Sequence, residues 1–380
     1  MSAPDVTFDA IKSDIALGML SQSSFYPKLK AAGLKVQLRL PTPARLKEHL
    51  IGGRVWQMAQ PITFTPFASA RPCSARCVFC SETLVHRDSH LLSASLRPRV
   101  EYPASLRRAL RELRNLPISI SLSGLEATDD ADWLENVLAA LDEHETAGGL
   151  IEEKVLYTNG AGLARETTGS RLLPKLQAYG LTRAEVSRHH FDQSINDDIM
   201  RFRPGQAIRE RMIFERTVRD MQAYVPVRLV CVLQSSGIAN AQDVYSYLAW
   251  AKELGVRDVV FRELSRLGVE YQPNQTLRVV ERDRVVLETL LNELWRTGTP
   301  PAGLVPYAVT AGYYFWNLRL RGENGMDVTF ETSDYHEMKQ HHASDVVYKL
   351  IYHANGNLCG DWDPEKQVLL DTCEEMPSNL

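Results

Sequence analysis

The stretch VRLVCVL, residues 227–233, is an almost continuous run of apolar side chains. A strand in a parallel sheet is covered on both faces, so such a run is typical of a buried parallel strand. A helical pattern follows, with Val244, Leu248 and Ala251 on one face and Gly255 at the expected end. The stretch therefore predicts one strand–helix unit of an α/β fold.

The same alternation of short apolar runs and longer amphipathic segments extends from about residue 60 to residue 298. Further strands are predicted at 61–65, 118–122, 154–157, 184–186 and 259–261. Strands separated by helices form parallel sheets through right-handed crossovers. We therefore predict an α/β core, residues 61–298, in the form of a partial (β/α)6 TIM-like barrel.

Residues 1–60 are predicted to be an N-terminal helical lead-in. Leu46 and Leu50 lie one helical turn apart with Lys47 and Glu48 between them, which suggests an amphipathic helix.

Residues 299–380 lose the alternation and are predicted to be a C-terminal α+β extension that covers the mouth of the barrel. Antiparallel strands are expected around 326–331, 346–352 and 366–370. We expect this extension to pack on the open side of the barrel.

The composition of the 380-residue chain excludes several classes of protein. The net charge is −4, so no basic field is available to bind a nucleic-acid backbone. No run of about eighteen apolar residues is present, so no membrane span is expected. The segment Met1–Leu20 lacks the apolar core of a signal peptide. Half of the six cysteines are clustered, which indicates a cytoplasmic protein rather than a secreted disulfide framework.

The clustered cysteines lie in the stretch CSARCVFC. A structural zinc site needs four ligands, so Cys73, Cys77 and Cys80 would have to be joined by His86 or His90. A thioredoxin-like pair of Cys77 and Cys80 would leave Cys73 without a role. Three thiolates in one loop suit a 4Fe–4S cluster in which one iron has no protein ligand. Such an iron can bind a small molecule and pass it an electron.

The spacing CxxxCxxC, with aromatic Phe79 before the last cysteine, resembles the signature of the radical S-adenosylmethionine (radical SAM) superfamily. The resemblance implies that Cys73, Cys77 and Cys80 hold one 4Fe–4S cluster. It also implies that the open iron takes the amino and carboxylate groups of SAM, and that Phe79 borders the adenine.

The ends of the predicted strands add to the resemblance, which covers about residues 60–265. Ser123-Gly124-Leu125-Glu126 is similar to the GGE stretch of the family, which binds the methionine ammonium through backbone oxygens and the acid. It departs from that pattern by having Leu125 for the second glycine and Ala127 for the usual proline.

Three further positions match the family after later strands. Thr158-Asn159-Gly160 matches the TNG turn, and Ser187 occupies the position of a ribose-contacting serine. Arg201 or Arg203 would pair with the SAM carboxylate, since a guanidinium suits bidentate recognition.

The resemblance implies the chemistry as well. An electron donor such as flavodoxin or a reductase would reduce the cluster, and SAM would be cleaved to methionine and a 5′-deoxyadenosyl radical. That radical would remove hydrogen from a substrate C–H bond. Of the remaining cysteines, Cys231 is expected in the core, and Cys359 and Cys373 would be the only candidates for a second cluster. We expect a single cluster.

Polar residues near the predicted mouth suggest a small polar substrate. The candidates for catalysis are His189, His190, Asp192 and Glu263. The candidates for substrate binding are Arg262, Glu263, Tyr335, His336 and Glu337, with His341 and His342 close behind. Acids and tyrosines there would suit a hydroxylated, amine-bearing ring, and a His or Glu beside a hydroxyl can act as acid or base.

Only 72 residues precede Cys73, which disfavours a cobalamin domain or a full leader-peptide module. On balance the chain resembles the sugar- and aminoglycoside-tailoring enzymes of antibiotic biosynthesis. We expect a lyase or oxidoreductase that dehydrates or dehydrogenates a sugar or aminocyclitol. The alternatives are a peptide- or nucleoside-modifying radical SAM enzyme and a non-catalytic metal-binding interaction protein.

Overall fold

The computed structural model describes residues 5–6, 23–31, 36–38, 45–67, 69–89, 95–295, 303–322 and 325–372. His90 and Cys373, which the sequence raised as possible ligands, lie outside these ranges. In the described part of the chain, no helix has both the length and the apolar character needed to cross a membrane.

The described strands join in one open, mixed sheet. They are β1 (Asp5–Val6), β2 (Val36–Leu38), β3 (Leu46–Ile51), β4 (Arg54–Pro66), β5 (Ile118–Leu122), β6 (Ile151–Thr158), β7 (Arg183–Ser187), β8 (Val227–Leu233), β9 (Asp258–Glu263), β10 (Leu304–Ala311), β11 (Trp316–Gly322), β12 (Asp327–Glu331), β13 (Val346–Tyr352), β14 (Asn357–Cys359) and β15 (Val368–Asp371).

Helices connect many of these strands and cover the sheet. Their bounds are Tyr26–Ala31, Tyr102–Glu112, Ala131–Thr146, Glu166–Tyr179, Gln193–Met200, Arg211–Gln222, Ala241–Glu253, Gln275–Asp283, Leu287–Leu294 and Tyr335–His342. Helix Ala241–Glu253 buries Val244, Leu248 and Ala251, as the sequence predicts. Gly255 follows it with φ +81°, the left-handed conformation that glycine adopts most readily after a helix.

The six predicted core strands are confirmed as β4 to β9. Each pairs with the next in chain order, and every one of these pairs is parallel. The side chains of β8 from Leu229 to Leu233 are all buried, as both faces of a parallel sheet require. The α/β class is therefore confirmed, and the sheet stays open rather than closing on itself.

The predicted helix at Leu46–Leu50 is wrong, because these residues form strand β3. It pairs antiparallel with β4, and Ile51 faces Arg54 across a two-residue turn. Gly52 and Gly53 form that turn with φ of +58° and +77°, the conformation that a tight hairpin needs. Leu50 is 57% exposed, so the two leucines form no buried helical stripe.

The C-terminal extension continues the sheet at both edges of the core. Its expected strands are found as β12, β13 and β15. Each of β12 and β13 is antiparallel to a neighbour within the extension, but β12 is parallel to β9 and β13 is parallel to β4. The expectation of purely antiparallel strands is wrong for β12 and β13. Each of these strands pairs along one edge with the extension and along the other edge with the core. The boundaries proposed at 60 and 298 stay predictions.

Candidate active site

A cavity of about 310 Å³ lies at the carboxyl ends of the parallel strands. Many of the residues singled out in the sequence line it. They are Cys73, Cys77, Phe79, Cys80, Gly124, Glu126, Thr158, Asn159, Ser187, His189, Arg262, Glu263 and Tyr335. They come from distant parts of the chain, and the shared edge of a parallel sheet brings them together.

The cysteine loop is held in place by backbone contacts with the end of helix Gln193–Met200. The amides of Arg76 and Val78 donate to the carbonyls of Met200 and Ile199, both at 3.0 Å. Arg203 braces the same loop, since its Nε donates to the carbonyl of Cys73 at 2.7 Å. The three thiols are therefore presented by a fixed loop.

Burial raises the pKa of each thiol in this loop. Loss of hydration is the largest cause, and it raises the pKa of Cys73 to about 12 and that of Cys80 to about 11. Burial also raises the pKa of Cys77 well above its usual value, and the neighbouring Cys80 and Cys73 add to the effect. A bound cation, such as the core of an iron–sulfur cluster, would favour the thiolate form of these side chains.

Three thiols on one loop match the donor set of a 4Fe–4S cluster, in which each thiolate binds a different iron. Within the described ranges, no group of three His, Cys, Asp or Glu side chains is arranged to hold a single metal ion.

The carboxylate of Glu126 joins the ends of strands β5 and β6. Its Oε1 accepts hydrogen bonds from the amide of Thr128 at 3.1 Å and from the hydroxyls of Thr128 and Thr158, both at 2.6 Å. Its Oε2 accepts from the amide of Asn159 at 2.5 Å. Burial, followed by repulsion from Asp129, nevertheless raises the pKa of Glu126 to about 7. Both oxygens of this carboxylate thus accept hydrogen bonds from the protein itself.

The backbone before Glu126 is left-handed at two successive residues. Gly124 has φ +80°, and a methyl group added there would meet no atom within 4 Å. Leu125 has φ +54°, which is costly for a leucine. The chain thus keeps the turn of a double glycine although the second residue is Leu. This backbone borders the cavity with open space in front of it.

Asn159 links the strand-end turn to the cysteine loop. Its Nδ2 donates to the hydroxyl oxygen of Ser74 at 3.0 Å and lies 3.6 Å from the sulfur of Cys73. Its Oδ1 accepts from the amide of Ala161 at 2.9 Å. Asn159 therefore positions Cys73 as well as lining the cavity.

Phe79 and His189 form an edge-to-face pair in the cavity wall, with ring centroids 4.9 Å apart. The amide of Val232 donates to Nδ1 of His189 at 3.0 Å. Burial lowers the pKa of His189 to about 3, so the ring is neutral at ordinary pH. With Nδ1 accepting, the proton of the neutral ring resides on Nε2.

Arg262 and Glu263 are each tied to a charged partner. Arg262 donates from Nε to Glu331 at 2.6 Å and lies 3.9 Å from the buried Glu185. Glu263 pairs with Arg284 at 2.5 Å, yet burial raises the pKa of Glu263 to about 7. These ion pairs hold both side chains in place, and the two residues form a polar part of the cavity wall.

Other predicted residues do not line this cavity. Asp192 caps helix Gln193–Met200 by accepting from the amide of Ile195 at 3.1 Å. The amide of Asp192 in turn donates to Nδ1 of His190 at 2.9 Å. Arg201 is exposed at the end of that helix.

His336 and Glu337 also lie away from the cavity, in the first turn of helix Tyr335–His342. His336 lies 3.6 Å from Glu270, and Glu337 lies 3.8 Å from Arg266. Tyr335, the first residue of the same helix, is the member of this group that reaches the cavity.

A second cavity of about 100 Å³ adjoins the first, and sequence reasoning missed most of its wall. Both cavities are lined by Ser81, Glu82, Leu84 and Tyr335. The second also has acid and aromatic residues from the loop 361–363. Of its lining residues, His86, Tyr335 and His342 had been named from the sequence, but Glu82 and the loop 361–363 had not.

No protein-family model and no curated protein sequence matches the chain. Among solved structures it is similar to native anSMEcpe with bound AdoMet, at 19% identity and TM-score 0.40 over 53% of this chain. The matched part amounts to 51% of that chain, so this protein spans about half of its length.

Two further structures are similar to this chain. SuiB of Streptococcus suis bound to the precursor peptide SuiA matches at 14% identity and TM-score 0.46, over 94% of this chain and 67% of SuiB. Coproporphyrinogen III oxidase (HemN) of Escherichia coli, described as a radical SAM enzyme, matches at 11% identity and TM-score 0.37, over 69% and 67%.

Proposed function

We propose that this chain is a radical SAM enzyme that holds one 4Fe–4S cluster on Cys73, Cys77 and Cys80 and binds SAM beside it. One observation carries the proposal: the three thiols, the left-handed turn at Gly124 and the turn at Asn159 line a single cavity. Those elements follow three different strands, so their meeting is a property of the fold rather than of one motif.

When bound to Cys73, Cys77 and Cys80 and reduced, the cluster would supply the electron for cleavage of SAM, and so the chemistry that removes hydrogen from a substrate C–H bond. The residues of this chain bind and orient the reactants. The open backbone at Gly124 is suited to the methionine ammonium, Phe79 to the adenine and Ser187 to the ribose. Glu126 acts by fixing Thr158 and Asn159, since its oxygens already accept hydrogen bonds from them.

We extend the proposal to a small hydroxylated substrate such as a sugar or aminocyclitol, which would lose water or be oxidised. The polar wall at Arg262, Glu263 and Tyr335 supports this class, because it offers charged and hydroxyl groups beside the cavity. Flavodoxin or a reductase would supply the electron.

The cofactor assignment is tested by anaerobic reconstitution of the full chain. We expect about four irons per chain, the content of a single cluster. Cys77→Ala should lose the cluster. Cys359→Ala is the matched control, because Cys359 is buried in β14 and does not line the cavity. One zinc per chain, or an unchanged iron content in Cys77→Ala, would contradict the assignment.

The substrate class is tested on the reconstituted enzyme with a panel of aminosugars and cyclitols. We expect one of them to stimulate formation of 5′-deoxyadenosine and to be consumed. Stimulation by peptides but by no member of the panel would replace the sugar proposal with the peptide-modifying alternative, while leaving the cofactor assignment intact.

A further inference from the structure

The second cavity holds a histidine–aspartate pair that the proposed function does not use. His342 ends helix Tyr335–His342, and Asp361 follows β14. Nδ1 of His342 lies 3.4 Å from Oδ2 of Asp361. Both residues line the cavity, whose wall is continuous with that of the larger one through Glu82 and Tyr335.

Asp361 is fixed and ionised. Its Oδ2 also faces Nζ of Lys339 at 3.2 Å, and its Oδ1 accepts from the amide of Asp363 at 2.9 Å. Despite burial, the interaction with His342, followed by Lys339 and the amide of Asp363, holds the pKa of Asp361 well below its usual range. A carboxylate held in this way orients the imidazole and keeps a proton on its Nδ1.

The other imidazole nitrogen of His342 lacks a partner. The residue is only 8% exposed, and its Nε2 makes no hydrogen bond within the described part of the chain. Burial, aided by Lys349 and Lys339, lowers the pKa of His342, which keeps the ring neutral. With the proton on Nδ1, Nε2 presents a lone pair. A buried acceptor left unpaired costs about 1–3 kcal/mol, so a ligand that donates there is favoured.

The rest of the second cavity is suited to a hydroxylated ligand. Trp362 adds an aromatic face, and Nζ of Lys349 lies 4.7 Å from the centroid of its ring. His86 lines the same cavity, and its Nδ1 likewise makes no hydrogen bond within the described ranges. Because two lysines face His342, a neutral donor suits its Nε2 better than a cation.

We propose that the second cavity binds a hydroxyl group of a neutral polyol substrate and that His342, oriented by Asp361, accepts the hydroxyl proton on Nε2. This inference rests on the proposed function, because the larger cavity would then hold the reacting carbon of the same molecule. In the proton transfer the substrate O–H bond breaks and an Nε2–H bond forms. The bonding pair stays on the substrate oxygen, and Asp361 stabilises the imidazolium.

The test uses the reconstituted full chain labelled with ¹⁵N-histidine, and myo-inositol as the probe. Nuclear magnetic resonance should show an unprotonated Nε2 in His342 at neutral pH, and its resonance should shift on addition of myo-inositol. His342→Gln should weaken binding about tenfold, the effect of losing one hydrogen bond. Asp361→Asn should alter the tautomer of His342. His49→Gln, on β3, is the control and should bind as the wild type does.

Three results would overturn the inference: a protonated Nε2, no response of His342 to myo-inositol, or equal binding by His342→Gln. Cleavage of SAM without substrate, measured on the same samples, separates this inference from the proposed function. Cleavage that persists without a myo-inositol response refutes only the role of His342. Absence of cleavage in a chain that carries its cluster refutes the proposed function instead.

Discussion

At the scale of single residues, Glu126 shows what the structure adds to a sequence motif. The resemblance in sequence suggested that this carboxylate binds the ammonium group of SAM. In the structure both of its oxygens accept hydrogen bonds from the protein. These hydrogen bonds hold Thr158 and Asn159 in place, and through Asn159 the sulfur of Cys73. A contact between Glu126 and the ammonium group of SAM stays a prediction.

The first prediction concerns Glu126→Gln. An amide has a single acceptor oxygen and would turn its NH₂ group towards one of the present donors. We expect the apoprotein to lose about 2 kcal/mol of unfolding free energy in urea, because buried donors are left unpaired. Glu143→Gln is the control. Glu143 pairs with Arg107 on the surface, so this substitution should change the unfolding free energy little. Equal effects of the two substitutions would refute the structural role of Glu126.

The second prediction is a pH dependence from His189. The pKa of His189 is about 3 in the folded protein against a usual value of 6.5, so below 6.5 protons bind preferentially to the unfolded chain. The unfolding free energy should therefore fall as the pH falls from 6.5 towards 3, by at most about 1.4 kcal/mol per pH unit from this group.

Urea unfolding of apo His189→Gln over this pH range checks the second prediction. The wild type should lose stability relative to the variant as the pH is lowered. Gln242→Ala, which replaces an exposed residue that does not ionise, is the control and should keep the wild-type slope. If the unfolding free energies of the wild type and His189→Gln differ by the same amount at all pH values, His189 binds its proton equally well in the folded and the unfolded chain, which would contradict the prediction.

For one residue that lies outside the cavity, the neighbouring sequence already suggested a structural role. Asp192 stands directly before a helical pattern, where an acid is a common N-cap, and it caps the helix. Proximity in sequence to Ser187 was not enough to place Asp192 and His190 in the site.

At the scale of elements, the hairpin of β3 and β4 gives a third prediction. Both turn glycines are left-handed, so an added Cβ is strained at either. Only at Gly52 would that Cβ also meet the carbonyl oxygen of Leu369, at 2.7 Å; at Gly53 it would meet nothing within 4 Å.

Gly53→Ala should therefore cost about 1 kcal/mol of unfolding free energy, and Gly52→Ala distinctly more, because it also displaces β15. Chemical denaturation of both variants measures the difference. Equal losses, or a larger loss in Gly53→Ala, would contradict the contact between the hairpin and β15.

The elements that the sequence predicted well are those decided by local pattern. A strand such as β8 is buried on both faces, so its apolar run is unambiguous. Leu46 and Leu50 were ambiguous, since a spacing of four fits a helix turn and also one face of a strand. The Gly52-Gly53 pair favours a two-residue hairpin turn, and it was the feature of the sequence that indicated a strand here.

At the scale of the whole molecule, the features that could not be predicted are those that depend on contacts between residues distant in sequence. The edge pairings of β12 with β9 and of β13 with β4 follow from the path of the chain, not from the composition of any segment. The second cavity depends on those pairings, because β13 and β14 bring Asp361 and Trp362 towards Glu82. The larger cavity was predictable in outline, because parallel strands end at one edge.

The central claim is that this fold uses three cysteines and the neighbouring strand-end turns to cleave SAM. The most direct measurement is the amount of 5′-deoxyadenosine formed from SAM and dithionite by the anaerobically reconstituted chain. The wild type and Cys359→Ala should both form it, and Cys77→Ala should form none. A chain that carries about four irons but forms no 5′-deoxyadenosine would contradict the claim.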